Sequence, residues 1–149
     1  MITIEPAVRA DSRAIAAFQL AMALETEDLR LDPETVTQGV GAVFDDPSKG
    51  FYLVAREGND LVASLMITYE WSDWRAKSVW WIQSLYVLPA YRQQGIFKRM
   101  FGWLAVKAKE GGQVGGIRLY VDNRNTRAQQ VYEALGMDGD HYRFYELMF

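Results

Sequence analysis

The run SVWWIQSLYV, residues 78–87, is closed by Pro89 and followed at Gly95 by a stretch in which Phe97, Phe101, Leu104 and Ala108 recur at helical spacing. Aromatic and β-branched residues favour a strand, proline cannot continue a sheet ladder, and apolar residues three or four apart mark a helix. The segment LPAYRQQGIFKRM therefore reads as the passage from a strand's carboxyl end into a helix N-terminus. The first turn of such a helix carries backbone N–H groups without intrahelical acceptors, at the positive end of the helix dipole. An anion is favoured there. Glycine at position 95 lets a phosphate approach the backbone, while Arg92, Lys98 or Arg99 adds side-chain charge. No Gly-Lys-Ser/Thr follows and the three-glycine dinucleotide turn is absent, so pyrophosphate held without Mg²⁺ fits better than a nucleoside triphosphate.

The remaining elements follow from local pattern. ITIEPAV, residues 2–8, reads as a first strand that Pro6 confines to an edge or ends early. Asp11 or Ser12 caps a helix carrying Ile15, Phe18 and Met22, and Asp32 followed by Pro33 starts a second one with Val36, Val40 and Val43 on its buried face. FYLVARE and LVASLMITYE flank GND, which predicts a β-hairpin over residues 51–70. The strand 78–87 is antiparallel to it if WSDWRAK is a loop. GIRLYV and YRFYELMF read as further strands, each preceded by a helix, 95–110 and 125–135, ended by Gly111 with Gly112 and by Gly136. The predicted order is β, α, α, three β, α, β, α, β. That is a mixed α/β (α+β) arrangement.

Half of the 149 residues are hydrophobic, enough for one core, and a single domain over residues 1–149 is expected. Net charge of −3 supplies no global field to attract nucleic acid or an anionic membrane. The chain has no cysteine and one histidine, His141, which removes disulfides and thiolate nucleophiles and leaves no ligand set for a metal. No basic leader and no apolar run of about 18 residues is present, so a cytoplasmic location is expected.

A second motif, NTRAQQVYEALGM at residues 125–137, adds weight to the first. Arg92-x-x-Gly95 together with Asn125-x-x-Ala128-x-x-x-Tyr132-x-x-x-Gly136 resembles the two motifs of the GCN5-related N-acetyltransferase (GNAT) family, and the element order agrees over nearly the whole chain. Phe97 departs from that family's pattern, in which a small residue is usual. The resemblance implies a mostly antiparallel mixed sheet flanked by helices with splayed central strands, acetyl-CoA as donor and a primary amine as acceptor. It implies that Leu85, Tyr86 and Val87 offer backbone hydrogen bonds to the pantetheine arm. Arg92, Gln93, Gln94, Gly95, Ile96, Phe97 and Lys98 would form the pyrophosphate cradle, Asn125 would approach the cofactor, and Tyr132 would be the general acid for the departing thiolate. The family's final hairpin strand lacks a counterpart here; a partner subunit in a homodimer would supply it.

The acceptor must also lose a proton. An alkyl amine of pKa about 10.4 is neutral to roughly one part in 2,500 at pH 7, a handicap of about 4.6 kcal/mol. Some family members place a glutamate on the strand before the cradle, but WWIQSLYV has no carboxylate. Glu25, Glu27, Asp28, Glu70 and Asp73 are the candidates, acting through water, with Glu25 and Glu70 foremost. These acids favour a cationic small-molecule acceptor, to which Trp71, Trp74, Trp80 or Trp81 adds a cation–π wall. Arg75 is expected as an internal ion-pair partner in this acidic loop. Two other function classes compete: a non-catalytic acyl-CoA-binding or regulatory module, and an interaction protein that assembles through its tryptophans and FYELMF.

Overall fold

The computed structural model describes residues 1–149, in two compact units, Met1–Arg118 and Leu119–Phe149. The first unit holds β1 (Ile2–Pro6), α1 (Ser12–Glu27), α2 (Pro33–Asp45), β2 (Phe51–Glu57), β3 (Asp60–Ser72), β4 (Lys77–Val87), α3 (Ile96–Lys109) and β5 (Val114–Arg118). The strands form one sheet in the order β1-β2-β3-β4-β5, antiparallel throughout except for the parallel pair β4–β5. This is the mixed, mostly antiparallel sheet that the family resemblance implies.

Alternation divides the sheet between two sets of helices. Tyr52 and Val54 face Ile15 and Ala16 of α1 and Val40 and Val43 of α2 in one buried cluster. The alternate residues Leu53, Leu65 and Ile67 are fully buried on the other face, and α3, which lies against the sheet, turns its buried Ile96, Met100, Leu104 and Ala108 inward. The hairpin turn is the two-residue Gly58–Asn59, since Glu57 pairs with Asp60.

Several local expectations are met and others corrected. Asp32 caps α2, its carboxylate accepting from the Thr35 N–H at 2.9 Å with Pro33 at the first helical position. Asp11 precedes α1 but makes no cap to it. Its buried carboxylate accepts from the Val8 N–H at 2.8 Å and from Arg56 Nη2 at 2.6 Å, so it ties the chain before α1 to β2. WSDWRAK is shorter as a loop than expected: β3 and β4 continue into it until Ser72 pairs with Lys77. Gly50, ahead of β2, has φ +142°, and a Cβ there would stand 2.0 Å from the Ile67 carbonyl oxygen.

In the second unit α4 spans Thr126–Ala134, capped by the Asn125 side chain, which accepts from the Ala128 N–H at 3.1 Å. β5 ends at Arg118, so Leu119–Val121 of the expected strand GIRLYV lie outside the ladder. YRFYELMF forms no strand either. Its composition suits a ladder, but a strand exists only with a hydrogen-bonded neighbour, and here Tyr142, Phe144, Tyr145, Leu147, Met148 and Phe149 are exposed.

Candidate functional site

The sheet opens at β4. Its parallel pairing with β5 covers only Ser78–Trp81, whereas its antiparallel pairing with β3 runs on to Val87 opposite Ala63. From Ile82 to Val87 β4 therefore has no strand paired on its β5 side, and there the Val87 carbonyl instead accepts from Arg92. Leu85, Tyr86 and Val87, expected to meet the pantetheine arm, lie in this segment.

A bulge re-aims the same stretch. Met66 pairs with Gln83 but Ser64 pairs with Tyr86, so two steps on β3 match three on β4, and Ser84 takes a left-handed φ of 53°. The extra residue lets Gln83 and Tyr86 share the α1–α2 face, which an unbroken strand would forbid. Tyr86 packs there on Phe18 of α1 with ring centroids 5.3 Å apart.

Beyond Val87 the chain makes a single turn of 3-10 helix at Pro89–Tyr91 and enters α3 through two left-handed residues, Gln93 (φ 62°) and Gly95 (φ 72°). Gly95 is the N-cap and no side chain caps the helix. The N–H groups of Ile96, Phe97 and Lys98 thus sit in a first turn that contains no acidic residue. A Cβ built on Gly95 meets nothing within 4 Å, so the space above that backbone is open to a ligand. Ile96 is buried and anchors the turn, Phe97 lies 6.2 Å from Phe101, and Lys98 is exposed. Gln94 Nε2 donates to the Ala90 carbonyl at 2.9 Å, and Arg99 Nη2 donates to the Ile2 carbonyl at 2.6 Å.

Arg92 and Glu25 are brought together. Arg92 Nη2 donates to Glu25 Oε2 at 3.0 Å, Nη1 donates to Oε1, and Nε donates to the Val87 carbonyl at 2.9 Å. Hydrogen bonding from Arg92 holds the Glu25 carboxyl below its usual range, and Glu25 in turn raises the guanidinium. With Met22, Thr26 and Leu85–Val87 the pair lines a cleft of about 260 Å³.

Glu70 occupies another part of the same face. Its Oε1 lies 3.4 Å from Trp81 Nε1, its Oε2 takes an ion pair from Arg118, and beside it Gln83 Nε2 donates to Thr68 Oγ1 at 2.5 Å. Asp73, Trp71 and Trp74 sit at the far end of the β3–β4 hairpin, with Trp74 92% exposed. Trp80 faces the opposite way, edge-on to Phe51. Arg75 makes a 3.3 Å hydrogen bond to Ser72 Oγ rather than the expected ion pair. Glu27 and Asp28 are exposed at the end of α1, and His141 stands edge-on to Tyr142. In the second unit, Asn125 caps α4 and the half-buried Tyr132 lies within it, its phenol pushed above its usual value by desolvation.

Three features escape sequence reading: the bulge at Ser84, the Gln83–Thr68 pair and Arg118 as the partner of Glu70. Strand register creates all three, and register is set by pairing between distant segments. No His, Cys, Asp or Glu group of three or more could hold a metal ion, and no helix is long and apolar enough to cross a membrane.

The mixed sheet, its parallel pair parting into an open strand edge that leads to an uncapped helix N-terminus, sets out the architecture that the comparisons match. The Acetyltransferase (GNAT) family model matches residues 16–137, and the chain belongs to that family. A possible acetyltransferase from Clostridium difficile 630 is 40% identical, with a TM-score of 0.92, over 100% of this chain and 98% of that one. Thialysine N-epsilon-acetyltransferase of Bos taurus is 31% identical over 80 residues, which are 54% of this chain. The match spans about half, 46%, of that relative's length. A predicted acetyltransferase from Clostridium acetobutylicum, solved with acetyl-CoA, shares the fold at 19% identity and a TM-score of 0.76, over 98% of this chain and 96% of that one.

Proposed function

We propose that this GNAT protein transfers an acetyl group from acetyl-CoA to a primary amine by direct attack, the donor lying along Leu85–Val87 with its pyrophosphate on the turn Gln93–Lys98. The observation that carries this reading is the continuity of the unpaired β4 edge with the uncapped N-terminus of α3. An extended amide-bearing arm and a pyrophosphate need such neighbours in that order, and the open space at Gly95 suits close approach of a phosphate. When bound, acetyl-CoA supplies the thioester carbonyl. With no cysteine in the chain, no cysteinyl acyl-enzyme intervenes.

On this chain's side, a carboxylate must take the proton of the ammonium through water. Glu70 suits the task better than Glu25. Arg92 meets both oxygens of Glu25 and lowers its pKa, which makes a weaker base, whereas Arg118 meets Oε2 of Glu70 and Oε1 faces the Trp81 indole N–H at 3.4 Å. Glu70 also lies beside the Trp81 indole, which favours a cationic small molecule. That the bovine relative is a thialysine N-epsilon-acetyltransferase supports an amine on a small molecule as acceptor. Tyr132 keeps the general-acid role that the motif implies, Asn125 its approach to the donor, and a homodimer and a cytoplasmic setting remain part of this reading.

Purified protein incubated with acetyl-CoA and a panel of amines should release free CoA with at least one member. Glu70→Gln should then lower kcat by about 100-fold, within the range for loss of an acid–base group. Tight donor binding with no release across polyamines, amino acids and aminoglycosides would instead make the chain a non-catalytic acyl-CoA-binding module.

A further inference from the structure

We propose that Arg92 is a positioning residue and not a phosphate ligand: gripped by Glu25, it staples the anion-binding turn to the end of α1. This rests on the donor site described above. Each of the three guanidinium nitrogens already has a partner. Both terminal nitrogens meet the two oxygens of Glu25, Nε donates to the Val87 carbonyl at 2.9 Å, and the guanidinium carbon stands 5.5 Å from the centroid of the Tyr86 ring. Tyr86 is itself packed on Phe18 of α1. One side chain thereby joins α1, the last residues of β4 and the residue that opens the turn.

The turn needs such an anchor. Gln93 and Gly95 are both left-handed, and residues between β4 and α3 belong to no ladder. Holding it are local bonds, the Tyr91 and Arg92 N–H groups to Leu88 and Pro89 carbonyls and Gln94 to Ala90, together with Tyr91 Oη donating to Glu57 at 2.6 Å. The Arg92–Glu25 bond connects that turn to α1 across 67 positions of sequence. A planar fork matches a carboxylate with two parallel hydrogen bonds while its Nε reaches a carbonyl, which an ammonium cannot reproduce. Shape at position 92 therefore matters more than charge.

The two roles predict opposite signs. If Arg92 held phosphate, removing the Glu25 charge would free it and donor binding would tighten, and Arg92→Lys would preserve most of the affinity. If Arg92 positions the turn, Glu25→Gln and Arg92→Lys each weaken binding of coenzyme A by up to about fivefold, the measure of a well-formed exposed ion pair. The double variant Glu25→Gln/Arg92→Lys then binds no worse than either single one. Calorimetric dissociation constants for coenzyme A on these variants, with circular dichroism to verify folding, decide between them; Arg92→Lys carries the test if Glu25→Gln fails to fold. Unchanged or tighter binding by Glu25→Gln, or additive losses in the double variant, overturns the proposal. A wild-type chain that binds no coenzyme A overturns the donor-site reading and this inference with it.

Discussion

Single buried atoms carry unequal burdens. Ser64 is fully buried on β3 opposite Tyr86, and its hydroxyl has no hydrogen-bond partner. A polar group dehydrated without compensation weakens the folded state, so Ser64→Ala should stabilise the chain by about 1 kcal/mol, measured by urea unfolding. An unchanged or lower stability would show that the hydroxyl has a role in the fold. Tyr132 makes a different prediction. Its phenol pKa lies above the ordinary 10 because burial disfavours the phenolate, so the proton-bearing form persists through neutral pH and disappears only as pH rises beyond that value. If Tyr132 is the acid, kcat has no basic limb from it below pH 10, and Tyr132→Phe lowers kcat by about 100-fold while donor affinity holds. Equal turnover in the two proteins would remove that role.

At the scale of elements, the strongest constraints are where one segment's backbone meets another's. Gly50 admits no side chain, because a Cβ would lie 2.0 Å from the Ile67 carbonyl oxygen of the adjoining strand and φ is already +142°. Gly50→Ala should cost at least about 2 kcal/mol in chemical denaturation, through both the collision and the backbone strain. Asp11 acts between elements as well. Removing its carboxylate as Asp11→Ala would leave the Val8 N–H without its acceptor and Arg56, whose side chain is 15% exposed, with Glu5 alone. A loss of about 2 kcal/mol is expected, since the Val8 N–H loses its acceptor and Arg56 keeps one of its two carboxylates. The same residue shows why local reading stops where it does. Asp11 and Asp32 look alike as capping residues, yet only Asp32 caps, because Asp11 has a cation within reach on β2 and Asp32 has only its own helix.

Across the whole molecule, apolar residues differ widely in burial. Leu104 of α3 is fully buried, whereas Leu147 is 79% exposed. Leu104→Ala should destabilise by about 2–5 kcal/mol and Leu147→Ala by no more than about 0.5 kcal/mol, a contrast that parallel denaturant melts can read directly. A comparable loss at both positions would mean that the apolar segment Tyr142–Phe149 belongs to the stability-determining core.

Much of this arrangement is legible from neighbouring residues alone. The pattern of apolar spacing locates α1, α2, α3, the β2–β3 hairpin and β4, because strand and helix periods are properties of consecutive residues. The turn at Gly95 is equally local: Gly95 follows a strand end and precedes an amphipathic helix, so its uncapped amides are foreseeable. Long-range pairing sets the rest. The bulge that turns Gln83 and Tyr86 to one face, the Arg118 partner of Glu70 and the grip of Glu25 on Arg92 all join residues far apart in the chain, and no short-range periodicity encodes them. The expected strand YRFYELMF fails for the same reason in reverse, since a ladder is a property of two strands and the composition of one cannot create its neighbour.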